Sequence, residues 1–463
     1  MDITLHKTET ENRLPPVLSA PPSKSDAHRL LILCALSKAR TETDEPISLS
    51  CRDTNADIDA TIRCLCALGA DIKAADGGFT VRPIPRVKRE NRAATPHEIA
   101  MDVGESGSTL RFLIPVIGAL GVSAVIKMHG RLPHRPIAPL DNVLSLHGVT
   151  TAYDPEDETL LHVSGVLTPG TYEIDGSVSS QFISGLLFAL PLLSSPSELI
   201  ITNSIASAPY IALTLSALKR FGYTPKQSND GHQYHMEPTV FSPLDGLSVE
   251  GDWSGAAFLL CAGAMSGFGV SVSALSADSV QGDRRILDVL AMTGCTFSWK
   301  ENIVTLSPPK THPLKPFTVD ADAIPDLVPP MAALACACVC SGNEQTIISG
   351  CKRLKIKESN RLEATVRMVR ALGGNACAET TADGDDRILI SGTGTLPGKN
   401  GAPDGYTVDG CNDHRMVMSA ALCALIAHHD ITISDREAIR KSYPGFFEDL
   451  QAFGIQGMRN EQI

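Results

Sequence analysis

Residues 24–36 read KSDAHRLLILCAL and follow a double proline, Pro21 and Pro22. A polar start with Lys24, Ser25 and Arg29 runs into a segment that is apolar on nearly all sides. Such a segment reads as an inner helix, since a surface helix keeps one polar face. Its polar start has two readings, a solvated helix end or a pair of cations held out to an anion. The pattern recurs at ESGSTLRFLIPVIGAL (105–120), SSQFISGLLFALPLL (179–193), DWSGAAFLLCAGAM (252–265), IPDLVPPMAALACA (324–337) and NDHRMVMSAALCALIA (412–427). Anchored on Arg29, Arg111, Gln181, Ser254, Asp326 and Arg415, the steps are 82, 70, 73, 72 and 89 residues.

A second signal is interleaved with the first. Short amphipathic segments end at Gly69, Gly148, Gly222, Gly294, Gly373 and Gly454, with steps of 79, 74, 72, 79 and 81. Glycine there is the usual helix C-cap, because it takes the left-handed conformation at no steric cost. Strand-like stretches such as ADIKAA (70–75) and CTFSW (295–299) follow. The chain therefore reads as α/β, with six units of about 70–80 residues, too long for a solenoid repeat. Six units suggest two domains of three, with a boundary near SPLDGLSVE (242–250).

Bulk composition narrows the function. A chain of 463 residues is too long for one core. Net charge −12 argues against a nucleic-acid binder relying on bulk charge, yet local Arg and Lys clusters can still hold an anion. The 13 cysteines include no CxxC pair, and Cys336, Cys338 and Cys340 sit in an apolar run; buried reduced thiols are expected. No apolar stretch reaches the roughly 18 residues of a membrane span, and MDITLHKTE lacks a signal region. No membrane is expected, and the cytoplasm is the expected location.

Polar residues gather at the starts of the inner helices, where unpaired N–H groups and the dipole favour anions. Arg29, Arg111 and Arg415 stand there as cations, more easily tolerated if an anion lies between them and the helix. Further cations lie in HGRLPHRPI (Arg131, Arg135), RLKIKESNRL (Lys355, Lys357, Arg361) and AIRKSYPGFF (Arg440, Lys441). There is no GxxxxGK[ST], no HExxH and no His/Cys metal spacing, so no metal site is expected. GTGTLPG (392–398) has the wrong spacing for a dinucleotide loop and reads as a turn-rich loop. The acid/base candidates are Asp326, which taken by itself reads first as a helix N-cap, Glu358 beside Lys357, and His414 beside Arg415.

The stretches PPSKSDAHR, GESGSTLRF, RLPHRPI, DGSVSSQFISGLL, SAPYIALTL, VEGDWSGAAF, QGDRRILDVL, IPDLVPPMAALA, LKIKESNRL, NDHRMVMSAAL and KSYPGFF span residues 21–447. In that order they resemble the 5-enolpyruvylshikimate-3-phosphate synthase family, the enolpyruvyl transferases of the shikimate pathway. The resemblance implies two similar domains, each of three βαβαββ repeats, an inside-out α/β barrel with the active site in the interdomain cleft. It implies one domain at 20–245 and the other at 1–19 with 246–463. It also implies transfer of the enolpyruvyl group of phosphoenolpyruvate to the 5-hydroxyl of shikimate 3-phosphate, without a cofactor, in a monomer.

By the same resemblance, Lys24, Ser25, Arg29, Ser179, Ser180, Gln181, Ser207, Tyr210, Asp326 and Lys357 meet shikimate 3-phosphate. Lys24, Gly107, Arg135, Gln181, Arg361, Arg415 and Lys441 meet phosphoenolpyruvate. Asp326 is the base toward the 5-hydroxyl, Glu358 handles the proton at C3 with His414 nearby, and Lys24 touches both substrates. Lys357 is expected on a shikimate hydroxyl or on Asp326. Asp26 and His28 receive no role. Three positions depart from the common pattern: Glu105 stands for an Asn, Ser108 for a Thr, and Arg353 for an Asn. Glu105, close to an anion site, is expected to pair with Arg111.

Two rivals remain. The sister family acting on UDP-N-acetylglucosamine has Lys-Asn at the place of Lys24-Ser25 and a loop Cys near RPI, where this chain has no Cys between Cys66 and Cys261. The other is a non-catalytic anion-binding relative, against which Asp326, Glu358 and Lys24 argue.

Overall fold

Each of the six apolar stretches forms a buried helix: Lys24–Leu36, Gly107–Leu120, Ser180–Ala189, Trp253–Ser266, Val328–Ala337 and His414–Cys423. The computed structural model describes residues 1–8, 14–37, 46–85, 98–244, 246–397 and 406–459. Four of these helices start on a side-chain cap: Ser106, Ser179, Asp252 and Asp413 each accept from a backbone N–H of the first turn. In the fourth, every residue from Trp253 to Met265 is buried, so no face is left for water. Each Leu or Phe taken inside contributes about 1.5–3 kcal/mol. Small residues set how closely the helices approach. At Gly185 an added Cβ would stand 2.6 Å from Arg111 O, so only glycine lets the third helix lie against the second.

All six predicted capping glycines have positive φ, from 74° at Gly222 to 106° at Gly69. A strand follows each: Asp71–Ala75, Val149–Tyr153, Lys226–Gln227, Thr296–Lys300, Asn375–Thr380 and Ile455–Arg459. One sheet shows the repeat. Ile99–Asp102 and Ala124–Lys127 run parallel on either side of an inner helix, and the outer helix Leu140–Leu146 then leads to Val149–Tyr153. Leu160–Gly165 returns antiparallel between Val149–Tyr153 and Ala124–Lys127. The same βαβαββ order builds the sheets at 171–236 and 318–391.

The other three sheets borrow strands. Val17–Ser19 leads into the first inner helix but pairs parallel with Val270–Ser273. Leu247 and Val249 lead toward the fourth inner helix but bond to Ser50. The N-terminal strand Ile3–Lys7 closes the last sheet between Ile431–Ile433 and Ile455–Arg459. The fold is α/β, with two compact units, residues 1–23 with 250–463 and residues 24–249. Each has three sheets around its own hydrophobic core. The divisions fall four residues beyond the expected 19/20 and 245/246, the latter touching Asp245, which lies outside the described residues. The backbone pairing explains the shift: Ala20 N bonds to Ser273 O, Pro22 bridges Gly251, and Ser23 N bonds to Glu250 O.

All 13 cysteines are free thiols, with Cys336 and Cys338 buried. Of GTGTLPG, residues 392–397 form a loop with two isolated bridges, and Gly398 lies outside the described residues. Among the described residues no helix is long and apolar enough to cross a membrane.

Candidate active site

In the unit 24–249, the starts of the inner helices carry most of the predicted residues. Lys24 Nζ lies 2.9 Å from Asp57 Oδ2 at the start of the next helix. Arg29 is buried; its Nε, Nη1 and Nη2 donate to Thr214 Oγ1, Ser25 O and Tyr210 O. Burial lowers it to about 10, partly offset by Asp26. Arg29 thus ties Ser25 to Tyr210, which sits in the first turn of Ala208–Arg220 beside the cap Ser207. His28, buried beside it, shares its Nδ1 with Thr61 Oγ1 at 2.6 Å, and Thr61 passes to Thr109 and Ser106. Burial, with Lys24 and Arg29 nearby, pushes His28 down to about 3, so the ring is neutral.

Gly107, Arg111, Arg135 and Gln181 come together. Arg111 is 3% exposed. Its Nη1 donates to Gln181 Oε1 at 3.1 Å and its Nη2 to Pro136 O at 2.9 Å. Its Nε is buried, with no hydrogen-bond partner among the described residues. A Cβ at Gly107 would stand 2.6 Å from Arg111 Nη1 and 2.8 Å from Arg135 Nη1, so glycine keeps the space between two guanidinium groups. Burial, then Arg135, holds the Arg111 pKa well below the usual arginine value. No carboxylate lies within ion-pair distance of Arg111 among the described residues. A buried, uncompensated cation calls for an anion. Gln181 Nε2 donates to Ser108 Oγ at 2.9 Å, so the departure at Ser108 keeps a hydroxyl that seats the amide. The expected Glu105–Arg111 pairing is not found; the Glu105 carboxylate lies over Gly130, where a Cβ would be 2.4 Å from Oε2.

The unit 1–23 with 250–463 has the opposite character. Asp326 does not cap the fifth inner helix. Its Oδ1 takes Arg361 Nη1 at 2.8 Å and lies 3.6 Å from Lys357 Nζ, and its Oδ2 takes Arg415 Nη2 at 3.0 Å. Arg361 is 1% exposed and bonds to Asp326, Glu358 and Asp413. Burial works against its charge, but Asp413, Glu358 and Asp326 hold it firmly protonated. Asp413, fully buried, also caps the sixth inner helix by accepting from Arg415 N. Burial alone would raise its carboxyl; Arg361 reverses that and holds it below the usual range.

Glu358 Oε2 lies 3.5 Å from His414 Nδ1. Glu358, Asp413 and His414 bring ligand atoms within 4.8 Å of one another, but the Arg361 guanidinium already bonds to both carboxylates. Lys441 Nζ donates to Asn412 O at 2.6 Å. Arg353 donates to both the carbonyl and the carboxylate of Asp322, four residues before Asp326, so this departure braces the Asp326 loop.

The sequence marks Arg111 as a cation at a helix start without assigning it to either substrate, and it gives Asp413 no role. The signals were present: an Arg inside the helix start of GESGSTLRF, and an acid at the N-cap of NDHRM.

The arrangement has cations gathered at helix starts in one unit and a cation-clamped carboxylate in the other. The family profile described as EPSP synthase (3-phosphoshikimate 1-carboxyvinyltransferase) matches residues 8–450. A 3-phosphoshikimate 1-carboxyvinyltransferase of Clostridium kluyveri is 32% identical over 98% of this chain and 97% of its own. One of Clostridioides difficile is 34% identical over 94% of each. Among solved structures, EPSP synthase from Acinetobacter baumannii aligns with a TM-score of 0.75 at 20% identity, covering 99% of this chain and all of that one. The enolpyruvyl transferase NikO from Streptomyces tendae aligns with a TM-score of 0.71 at 16% identity over 99% of each. With a profile match over nearly its whole length and full-length relatives above 30% identity, the chain belongs to the EPSP synthase (3-phosphoshikimate 1-carboxyvinyltransferase) family.

Proposed function

We propose that the chain performs the reaction of its family as follows. The 5-hydroxyl oxygen of shikimate 3-phosphate adds to C2 of phosphoenolpyruvate while C3 takes a proton. A proton then leaves C3, phosphate leaves C2, and 5-enolpyruvylshikimate 3-phosphate remains. These steps need a base, an acid and charge stabilisation, and no redox-active cofactor. Both substrates are multiply anionic, which suits a set of cations and helix N-termini.

Asp326 takes the 5-hydroxyl proton. Glu358 carries the proton at C3, with His414 beside it. Shikimate 3-phosphate is held by Lys24, Ser25, Ser179, Ser180, Gln181, Ser207, Tyr210, Asp326 and Lys357, with Arg29 holding Ser25 and Tyr210 in place. Phosphoenolpyruvate is met by Lys24, Gly107, Arg135, Gln181, Arg361, Arg415 and Lys441, with Arg111 adding its charge. The observation that carries the reading is Asp326, a carboxylate between two arginines whose side chain keeps 18% exposure and so stays reachable. We read the enzyme as a monomer of the cytoplasm, a compartment that suits thirteen free thiols.

Phosphate release from purified protein tests the reading. Release with phosphoenolpyruvate and shikimate 3-phosphate is expected. Release with UDP-N-acetylglucosamine alone as acceptor would establish the sister activity, and no release with any acceptor would leave a binding protein.

A further inference from the structure

The stretch QGDRR (281–285) contains the short 3-10 turn Gly282–Arg285, and the steps above make no use of it. It carries a buried acid, Asp283. Asp283 Oδ2 accepts a 2.5 Å hydrogen bond from Ser254 Oγ. Ser254 Oγ in turn accepts from Arg415 Nη2 at 2.7 Å. The same Nη2 donates to Asp326 Oδ2 at 3.0 Å.

The backbone around Ser254 is fixed on two sides. Asp252 accepts from Ser254 N and Gly255 N. Gln281 accepts from Trp253 N and donates to Gly251 O. A hydroxyl has one proton to give. With Arg415 on a Ser254 lone pair, that proton points to Asp283, and the hydroxyl cannot turn away without breaking a buried bond.

We propose that Asp283 is a positioning residue for the transfer reaction: it holds the Ser254 hydroxyl, which sets the Arg415 guanidinium and, through it, the Asp326 carboxylate. The inference rests on the enolpyruvyl-transfer reading, in which Arg415 meets phosphoenolpyruvate. Asp326, Arg415 and Asp252 are the charged groups acting on Asp283. Burial and then Asp326 push the Asp283 carboxyl up to about 7, against the pull of Arg415 and Ser254. A carboxyl raised in the folded state contributes stability that is lost as pH rises through that value. Above neutral pH an acid at 283 works against stability, so stability does not explain it, whereas the aim of Arg415 does.

Steady-state phosphate release at pH 8 tests this with wild type, Asp283→Asn, Ser254→Ala and the double variant. Each single variant is expected to raise KM for phosphoenolpyruvate about tenfold, the scale of one hydrogen bond to a charged group. KM for shikimate 3-phosphate should stay within about twofold. The double variant should be no worse than the larger single, because both act through one chain of bonds. Asp283→Asn should melt no lower than wild type at pH 8. An active wild type whose Asp283→Asn variant keeps its KM for phosphoenolpyruvate overturns this inference alone. Equal rises in both KM values with a lower melting temperature also overturn it, by showing a general structural role. A wild type that releases no phosphate overturns the functional reading, and this inference with it.

Discussion

Arg111 and Arg361 are both buried arginines near the starts of helices, and they are held in opposite ways. Arg361 has a carboxylate for each nitrogen of its guanidinium: Asp413 on Nε, Asp326 on Nη1, and Glu358 with Asp413 on Nη2. Arg111 has carbonyl and amide oxygens, the Phe182 ring, a second arginine nearby and, among the described residues, no hydrogen-bond partner for its Nε. The same residue type is clamped by carboxylates in one unit and, among the described residues, faces none in the other. A compensated cation orients the acids around it, and an uncompensated one stores attraction for an incoming anion. In the proposed reaction the acid/base groups Asp326 and Glu358 stand in the set ordered around Arg361, and Arg111 adds a charge that no carboxylate among the described residues answers.

The comparison can be broken most directly at Arg361. Arg361→Met leaves three buried or half-buried carboxylates without their cation. Removing one partner of such a group costs about 3–5 kcal/mol. Chemical denaturation should show a loss on that scale, and a variant as stable as wild type would mean that the carboxylates do not depend on Arg361. Next comes Asp326→Ala. Losing a general base lowers turnover by roughly 10²-fold or more, while the dissociation constant of shikimate 3-phosphate should change far less. Isothermal titration beside the kinetics separates the two, and near-wild-type turnover would remove Asp326 from the role of base.

The contrast was only half legible in the sequence. The six inner helices and the glycines that close the amphipathic segments between them follow from the repeat, because burial on all faces and a left-handed residue leave plain marks on composition. The exchanged strands do not. Val17–Ser19 is three residues long, and nothing in VLS says that it pairs with Val270–Ser273 and not beside the helix it precedes. The site shows the same split. Lys24, Asp326, Asp413 and Arg415 all stand in the stretches quoted above, but the burial of Asp413 beneath Arg361 is a property of the packed state. His28 and Asp26, without a role in the sequence, turn out to anchor helices: His28 through Thr61, and Asp26 to Arg220 at 3.4 Å.

Arg111→Met sharpens the other half of the comparison. Methionine keeps much of the volume and abandons no carboxylate, so stability should stay within about 1 kcal/mol of wild type. KM for phosphoenolpyruvate should rise about tenfold or more, since a charge-assisted contact is lost. If Arg111→Met destabilises the protein as much as Arg361→Met, the distinction between the two arginines fails.

The smallest effect belongs to His28. Its neutral ring is built into the first helix by Thr61, and its folded pKa of about 3 lies below the ordinary 6.5. Below pH 6.5 the unfolded chain binds a proton that the folded one refuses. Its contribution to stability is therefore whole above pH 6.5 and is lost as pH falls toward 3, at up to about 1.4 kcal/mol per pH unit. His28→Gln keeps an amide for Thr61 and removes the titration. Urea melts between pH 6.5 and pH 4 should show the variant losing stability less steeply, by about one proton in that window. Because His28 lies between Lys24 and Arg29, parallel slopes would mean that the ring takes up its proton despite both cations. Charge would then be less exposed to burial in this unit than the reading of Arg111 requires.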